Sequence, residues 1–136
     1  MTDEDVGDFE DEDVKIRRPL FREILGEGSQ RTIVEVDLVI KTNGDLIVDG
    51  WDFGAAPREL FGDSDYEYWL TIRSEDKARV LEELLAESKE TDTATDKDAL
   101  LIDLLLTRFG NSRTPDGDFQ KWLDVRAIPY SFDSWV

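Results

Sequence analysis

The run Thr32-Ile33-Val34-Glu35-Val36-Asp37-Leu38-Val39-Ile40 alternates with period two, and Asn43-Gly44 follows it almost at once. Strand side chains point to opposite faces in turn. Val34, Val36, Leu38 and Ile40 therefore share one face, and Glu35 and Asp37 the other. Asn-Gly is the strongest short signal for a hairpin, because both residues tolerate the positive φ that a tight reversal needs. Leu46, Val48 and then Trp51 or Phe53 make the return strand. This antiparallel pair is the frame to which the remaining segments must add.

Val14-Lys15-Ile16 and Leu20 to Leu25 predict an earlier extended segment, with Gly26-Glu27-Gly28-Ser29 as a turn. Gly54 to Asp65 reads as a loop holding one helical turn from Pro57 to Phe61, stopped by Gly62. Tyr66, Tyr68, Leu70 and Ile72 alternate with Glu67, Trp69 and Thr71, which predicts a strand with one aromatic-aliphatic face. The second half has helical spacing. Ser74 is the expected N-cap, Glu75 and Asp76 suit the positive end of the helix dipole, and Val80, Leu81, Leu84 and Leu85 form the apolar stripe. Residues 88–95 lack apolar periodicity and read as a flexible link. Asp96 caps a second helix whose core face is Leu100, Leu101, Leu104, Leu105 and Phe109, widened by Ile102 and Leu106 and closed by Gly110. A helix so apolar is expected to be buried or shared with a partner. A third helix is expected over Asp118 to Arg126, with Phe119, Trp122 and Leu123 inward. Ile128-Pro129 breaks it, and Tyr130, Phe132 and Trp135 finish as a short strand. This order predicts an α+β fold: an antiparallel sheet of four to five strands, two to three helices packed on one face, and a short C-terminal strand.

Charge sets the domain organisation. The chain of 136 residues carries 16 Lys+Arg against 33 Asp+Glu, a net charge of −17. Eight of those acids stand in residues 1–13 with no base among them. Such a block repels itself and buries no apolar area, so residues 1–13 are expected to be a disordered acidic leader and 14–136 a single domain. Without histidine or cysteine there is no Ser-His or Cys-His dyad, no thiolate nucleophile, no disulfide framework and no His or Cys metal site. The acidic start does not resemble a secretory signal, and apolar runs of at most four residues cannot span a membrane. The cytoplasm is the expected location. The charge opposes direct binding to nucleic-acid phosphates.

Chemistry could come from the acids Asp49, Asp52, Asp63, Asp65 and Glu67, which lie around one loop and converge at one end of the sheet if the strands at 46–53 and 66–72 are neighbours. Asp63, Asp65 and Glu67 are a weak metal candidate. Their segment lacks the turn glycine and the distant bidentate Glu of an EF-hand, so no metal or other cofactor is expected. A pair of carboxylates suited to a glycosidase cannot be read from spacing. Gly26-Glu27-Gly28 lacks the third glycine and the following helix of a phosphate loop, and Pro115-Asp116 lacks the acid-x-Lys spacing of a metal-dependent nuclease. No catalytic residue is assigned and no enzyme is expected. Of the four tryptophans, Trp122 and Trp51 are expected in the core. Trp69 alternates off the face that carries Tyr68 and Leu70.

Asp45 to Gly54 (DLIVDGWDFG), Phe61 to Trp69 (FGDSDYEYW), and the tail Trp122-Leu123, Ile128-Pro129-Tyr130 and Trp135 together resemble a group of small bacterial proteins whose function is unassigned. The resemblance covers roughly residues 20–136 apart from the link. It implies a bacterial source and carries no catalytic residue.

Three functions are compatible with these features. The first is an immunity-type inhibitor or interaction domain that binds a basic protein through Asp49, Asp52, Asp63, Asp65, Glu67 and Trp69. The second is a DNA mimic that occupies a DNA-binding protein. The third is a carboxylate or divalent-metal-dependent enzyme. An open edge strand or the wide apolar helix could support a dimer, but nothing specifies the oligomeric state.

Overall fold

A computed structural model of the chain describes residues 13–54, 65–89 and 95–135. Five strands form one antiparallel sheet in sequence order: β1 (Val14–Leu25), β2 (Thr32–Lys41), β3 (Leu46–Gly54), β4 (Asp65–Ile72) and β5 (Ser131–Trp135). Three helices, α1 (Ser74–Ser88), α2 (Lys97–Phe109) and α3 (Pro115–Val125), lie between β4 and β5 in the chain. The architecture is the expected α+β fold, with a short strand closing it. Of the expected leader only Asp13 is described, and its carbonyl accepts the Thr42 N–H at 2.8 Å. The helical turn expected at 57–61 and most of the link at 88–95 lie outside the described residues; Ser88 is the last residue of α1.

The hairpin forms where Asn43-Gly44 placed it. The Gly44 N–H donates to the Lys41 carbonyl at 2.9 Å, and Gly44 adopts φ +96°. Register then runs from Ile40↔Leu46 through Asp37↔Asp49 to Thr32↔Gly54 without interruption. The turn also starts α1. Asp45 Oδ1 accepts the Ser74 N–H at 2.9 Å, while the Asn43 side-chain oxygen accepts the Asp45 N–H at 2.9 Å. Ser74 is therefore the first helical residue and not the expected N-cap. Arg73 occupies the cap position without a side-chain bond, and a carboxylate from the hairpin supplies the acceptor instead. Asp96 caps α2 as expected, accepting the Ala99 N–H at 3.1 Å.

The third helix begins at Pro115, three residues before the expected Asp118. Proline is pre-organised for a first turn, where its missing N–H has no partner to lose. Gly110 follows α2 as expected, but in the right-handed region (φ −66°), so it is not a left-handed stop.

One phase of the sheet makes the core. Val36, Leu38, Ile40, Leu46, Val48, Leu70 and Ile72 are buried against Val80, Leu84, Leu101, Leu105, Phe109, Phe119, Trp122 and Leu123. All three helices thus cover a single face of the sheet. The apolar breadth of α2 is used within the chain, where Leu101, Ile102, Leu104, Leu105 and Phe109 are all buried. Among the described residues no helix is long and apolar enough to cross a membrane.

Candidate interaction face of the sheet

Among the described residues the other phase of the sheet stands outside the helix-packed core, although Val39 and Ile47 in it are buried. Directly opposed residues on antiparallel strands share a face, so register alone assembles two rows across the sheet. The first runs Arg22, Glu35, Trp51, Glu67, Trp135. The second runs Pro19, Asp37, Asp49, Trp69, Asp133. Carboxylates and indoles therefore stand side by side across the sheet. Residue alternation produces this from strands whose opposite phase is buried core.

Between the rows lies a shallow hollow of about 320 Å³, lined by Arg17, Glu35, Asp37, Asp49, Gly50, Trp51 and Glu67. Arg17 reaches into it from β1. Its guanidinium donates to Asp37 at 2.9 Å and to Asp49 at 3.4 Å. Asp37 and Asp49 are a directly opposed like-charge pair, an arrangement that destabilises a sheet unless a cation lies between them. Burial works against the Arg17 charge. Its bonds to Asp37 and Asp49 outweigh that, and its pKa stands above the ordinary value. Arg22 meets Glu35 at 3.4 Å at the edge of the first row. Trp51 stacks on Phe53 with ring centroids 5.3 Å apart, and Phe53 is 39% exposed.

The six residues expected to make one surface are divided by the fold. Asp49, Glu67 and Trp69 share the open face. Asp65 pairs with Phe53 at the start of β4, and Asp63 lies outside the described residues. Asp52 is on the opposite, helix-covered face, because strict alternation from Leu46 and Val48 sends Gly50 and Asp52 inward. There Asp52 is half-buried, its Oδ1 has no hydrogen-bond partner among the described residues, and its pKa is raised, first by burial and then by the nearby Asp116 charge. The same alternation corrects Trp51, expected in the core: it is only partly buried and lies on the open face. Trp122 is in the core at 4% exposure, as expected.

Sequence reading missed Arg17, Glu35, Asp37, Trp51, Asp133 and Trp135 as members of this face. Glu35 and Asp37 already carried a signal, since they occupy the solvent phase of the alternating run. Among the described residues no cluster of three or more acids is placed to hold a metal ion. Comparisons with protein-family models, with curated proteins and with solved structures find no match for this chain.

Proposed function

We propose that the chain is an acidic interaction module of the immunity or inhibitor type, whose open sheet face covers a basic surface of a partner protein. One observation carries the reading: two cross-strand rows that set Glu35, Glu67, Asp37, Asp49 and Asp133 beside Trp51, Trp69 and Trp135. Carboxylates steer a cationic partner and fix its orientation, and partly buried indoles supply the area that makes such contacts last. A sheet held from behind by three helices gives a pre-organised surface with little to lose on binding. The setting that goes with this reading is a bacterial cytoplasm, which the resemblance and the absence of cysteine suit.

The test separates this face from bulk charge. Two variants each remove four charges: Glu35→Gln, Asp37→Asn, Asp49→Asn and Glu67→Gln together, and Glu27→Gln, Glu75→Gln, Glu82→Gln and Asp103→Asn on exposed positions elsewhere. Wild type and the second variant are expected to retain a basic protein from the native host's lysate at low salt and release it as salt is raised. The first variant is expected to lose it. Equal loss by both variants, or capture of no basic protein by wild type, refutes the proposal. If the captured protein is itself a DNA-binding protein displaced by DNA, the mimic reading takes its place.

A further inference from the structure

We infer that β5 is a strand-addition edge, and that its occupant is an extended basic segment of the partner. This deepens the interaction reading and rests on it. The two edges of the sheet are built differently. At one edge, β1 is twelve residues long with register shifts between Val14 and Ile16 and between Pro19 and Phe21. It also carries Pro19 and the bases Lys15, Arg17, Arg18 and Arg22. Proline, bulges and charge are the devices that keep an edge from pairing with another chain. β5 has neither proline nor bulge, and its one charge is the carboxylate of Asp133. Its five residues contain no base and no proline, pair with β4 in unbroken register from Thr71↔Ser131 to Glu67↔Trp135, and are all exposed. Among the described residues it pairs with β4 on one side only, which leaves the main-chain groups of its other side to an incoming strand.

The side chains specify what kind of strand fits. Phe132 and Trp135 are 44% and 42% exposed and stand on opposite faces of β5. Asp133 ends the second row on the open face, beside Trp69. An added strand would extend both rows by one position. Its residue opposite Asp133 is best a Lys or Arg, and its neighbours, which meet Phe132 on the other face, are best apolar. The segment thus alternates basic and apolar residues. The β1 edge, with Pro19 and four bases against one acid, suits such a strand less well than the β5 edge, which carries Asp133 and no base. Charge also decides against a second copy of this chain. Each copy carries −17, and two antiparallel β5 strands would set one Asp133 near the other.

The test uses the full chain and a synthetic heptapeptide of alternating arginine and valine, against the same peptide with every backbone amide N-methylated. Charge is identical in the two; strand pairing is possible only in the first. At low salt the unmodified peptide is expected to slow hydrogen exchange of β5 amides that do not face β4, by about tenfold or more, and to leave β1 amides unchanged. The methylated peptide is expected to give no protection. If either peptide perturbs Trp51 and Trp69 while β5 exchange stays unchanged, strand addition is wrong and the open-face reading stands. If neither peptide affects Trp51, Trp69 or β5 at millimolar concentration, both fall. Should β5 amides become protected on raising the protein concentration alone, the occupant is a second copy and the inference is overturned.

Discussion

Gly50 and Asp52 stand where two large apolar residues would be expected, in phase with Leu46 and Val48. A Cβ added at Gly50 would lie 2.1 Å from ring atoms of Tyr68. The tyrosine ring on the opposed strand therefore takes the space that a residue-50 side chain would fill, which is why a glycine is tolerated inside a strand. Tyr68 stays protonated well past its ordinary range, first because it is buried and then because Asp116 and Asp52 stand near it. Asp52 completes the cluster at a cost: its ionised form is disfavoured by burial and by Asp116, so its folded pKa lies above 3.8. For a carboxylic acid raised on folding, the native state holds the proton more tightly than the unfolded chain. Stability then falls as pH rises through the interval upward from 3.8, and the deficit persists at neutrality. Asp52→Asn is accordingly expected to melt above wild type at pH 7, with the advantage vanishing as pH is lowered below 3.8, where the wild-type carboxyl is neutral in both states. Thermal melts across this pH range check it; an advantage that does not vary with pH would show that the gain comes from something other than the charge.

At the scale of elements, helices are fastened to one another by a few multivalent acids. Glu87 near the end of α1 accepts from Arg108 of α2 at 2.7 Å and from Trp122 Nε1 of α3 at 3.1 Å, and it pairs with Arg126 at 3.0 Å. Arg126 in turn lies over the Trp122 ring, 4.2 Å from its centroid. Asp98 plays the same part at the other end of α2, meeting Lys15 of β1 at 2.8 Å and Lys77 of α1 at 2.7 Å. Burial would raise the Asp98 pKa, but the two lysines outweigh it and hold it below the ordinary value. Glu87→Ala strands the indole N–H of a buried tryptophan, so a loss of about 1.5–3 kcal/mol, roughly 5–12 °C in Tm, is expected. Trp122→Phe in the same background should then cost less than it does alone, because the N–H it removes has already lost its acceptor. Strictly additive losses in denaturant unfolding would dissociate the two residues.

None of these ties is legible in the sequence, since each joins residues brought together by helix packing. What was legible is local. Alternation gave both phases of β2 and β4, and Asn43-Gly44 fixed the β2–β3 register and with it the opposition of Asp37 and Asp49. The β3–β4 register depends on a long connection with no turn signal of that strength. The row-mates of Glu67 and Trp69 are therefore not legible, whereas the outward face of Trp51 follows from alternation with Leu46 and Val48 and only its apolar bulk argues for the core.

For the whole molecule, the dominant electrostatic term is self-repulsion. There are 33 acids against 16 bases, and the open face adds a directly opposed carboxylate pair bridged by an arginine whose side chain is 40% exposed. Exposed ion pairs each contribute about 0–1 kcal/mol and weaken with salt, whereas like-charge repulsion summed over the surface is relieved by it. The two effects oppose, and the excess of acids decides the sign: Tm is expected to rise as sodium chloride is increased from ~20 to ~300 mM, over which the screening length falls severalfold. A fall would mean that specific bridges such as Lys77–Asp98 outweigh the net charge. Repeating the series with magnesium chloride at matched ionic strength extends the measurement to the acids themselves. Screening depends chiefly on ionic strength, so the two salts should give nearly coincident curves. A ligand that binds the native state adds stabilisation that grows with its concentration relative to its Kd. A magnesium curve lying well above the sodium curve at millimolar metal would therefore reveal a specific divalent site and bring the metal-dependent reading forward in place of the interaction face.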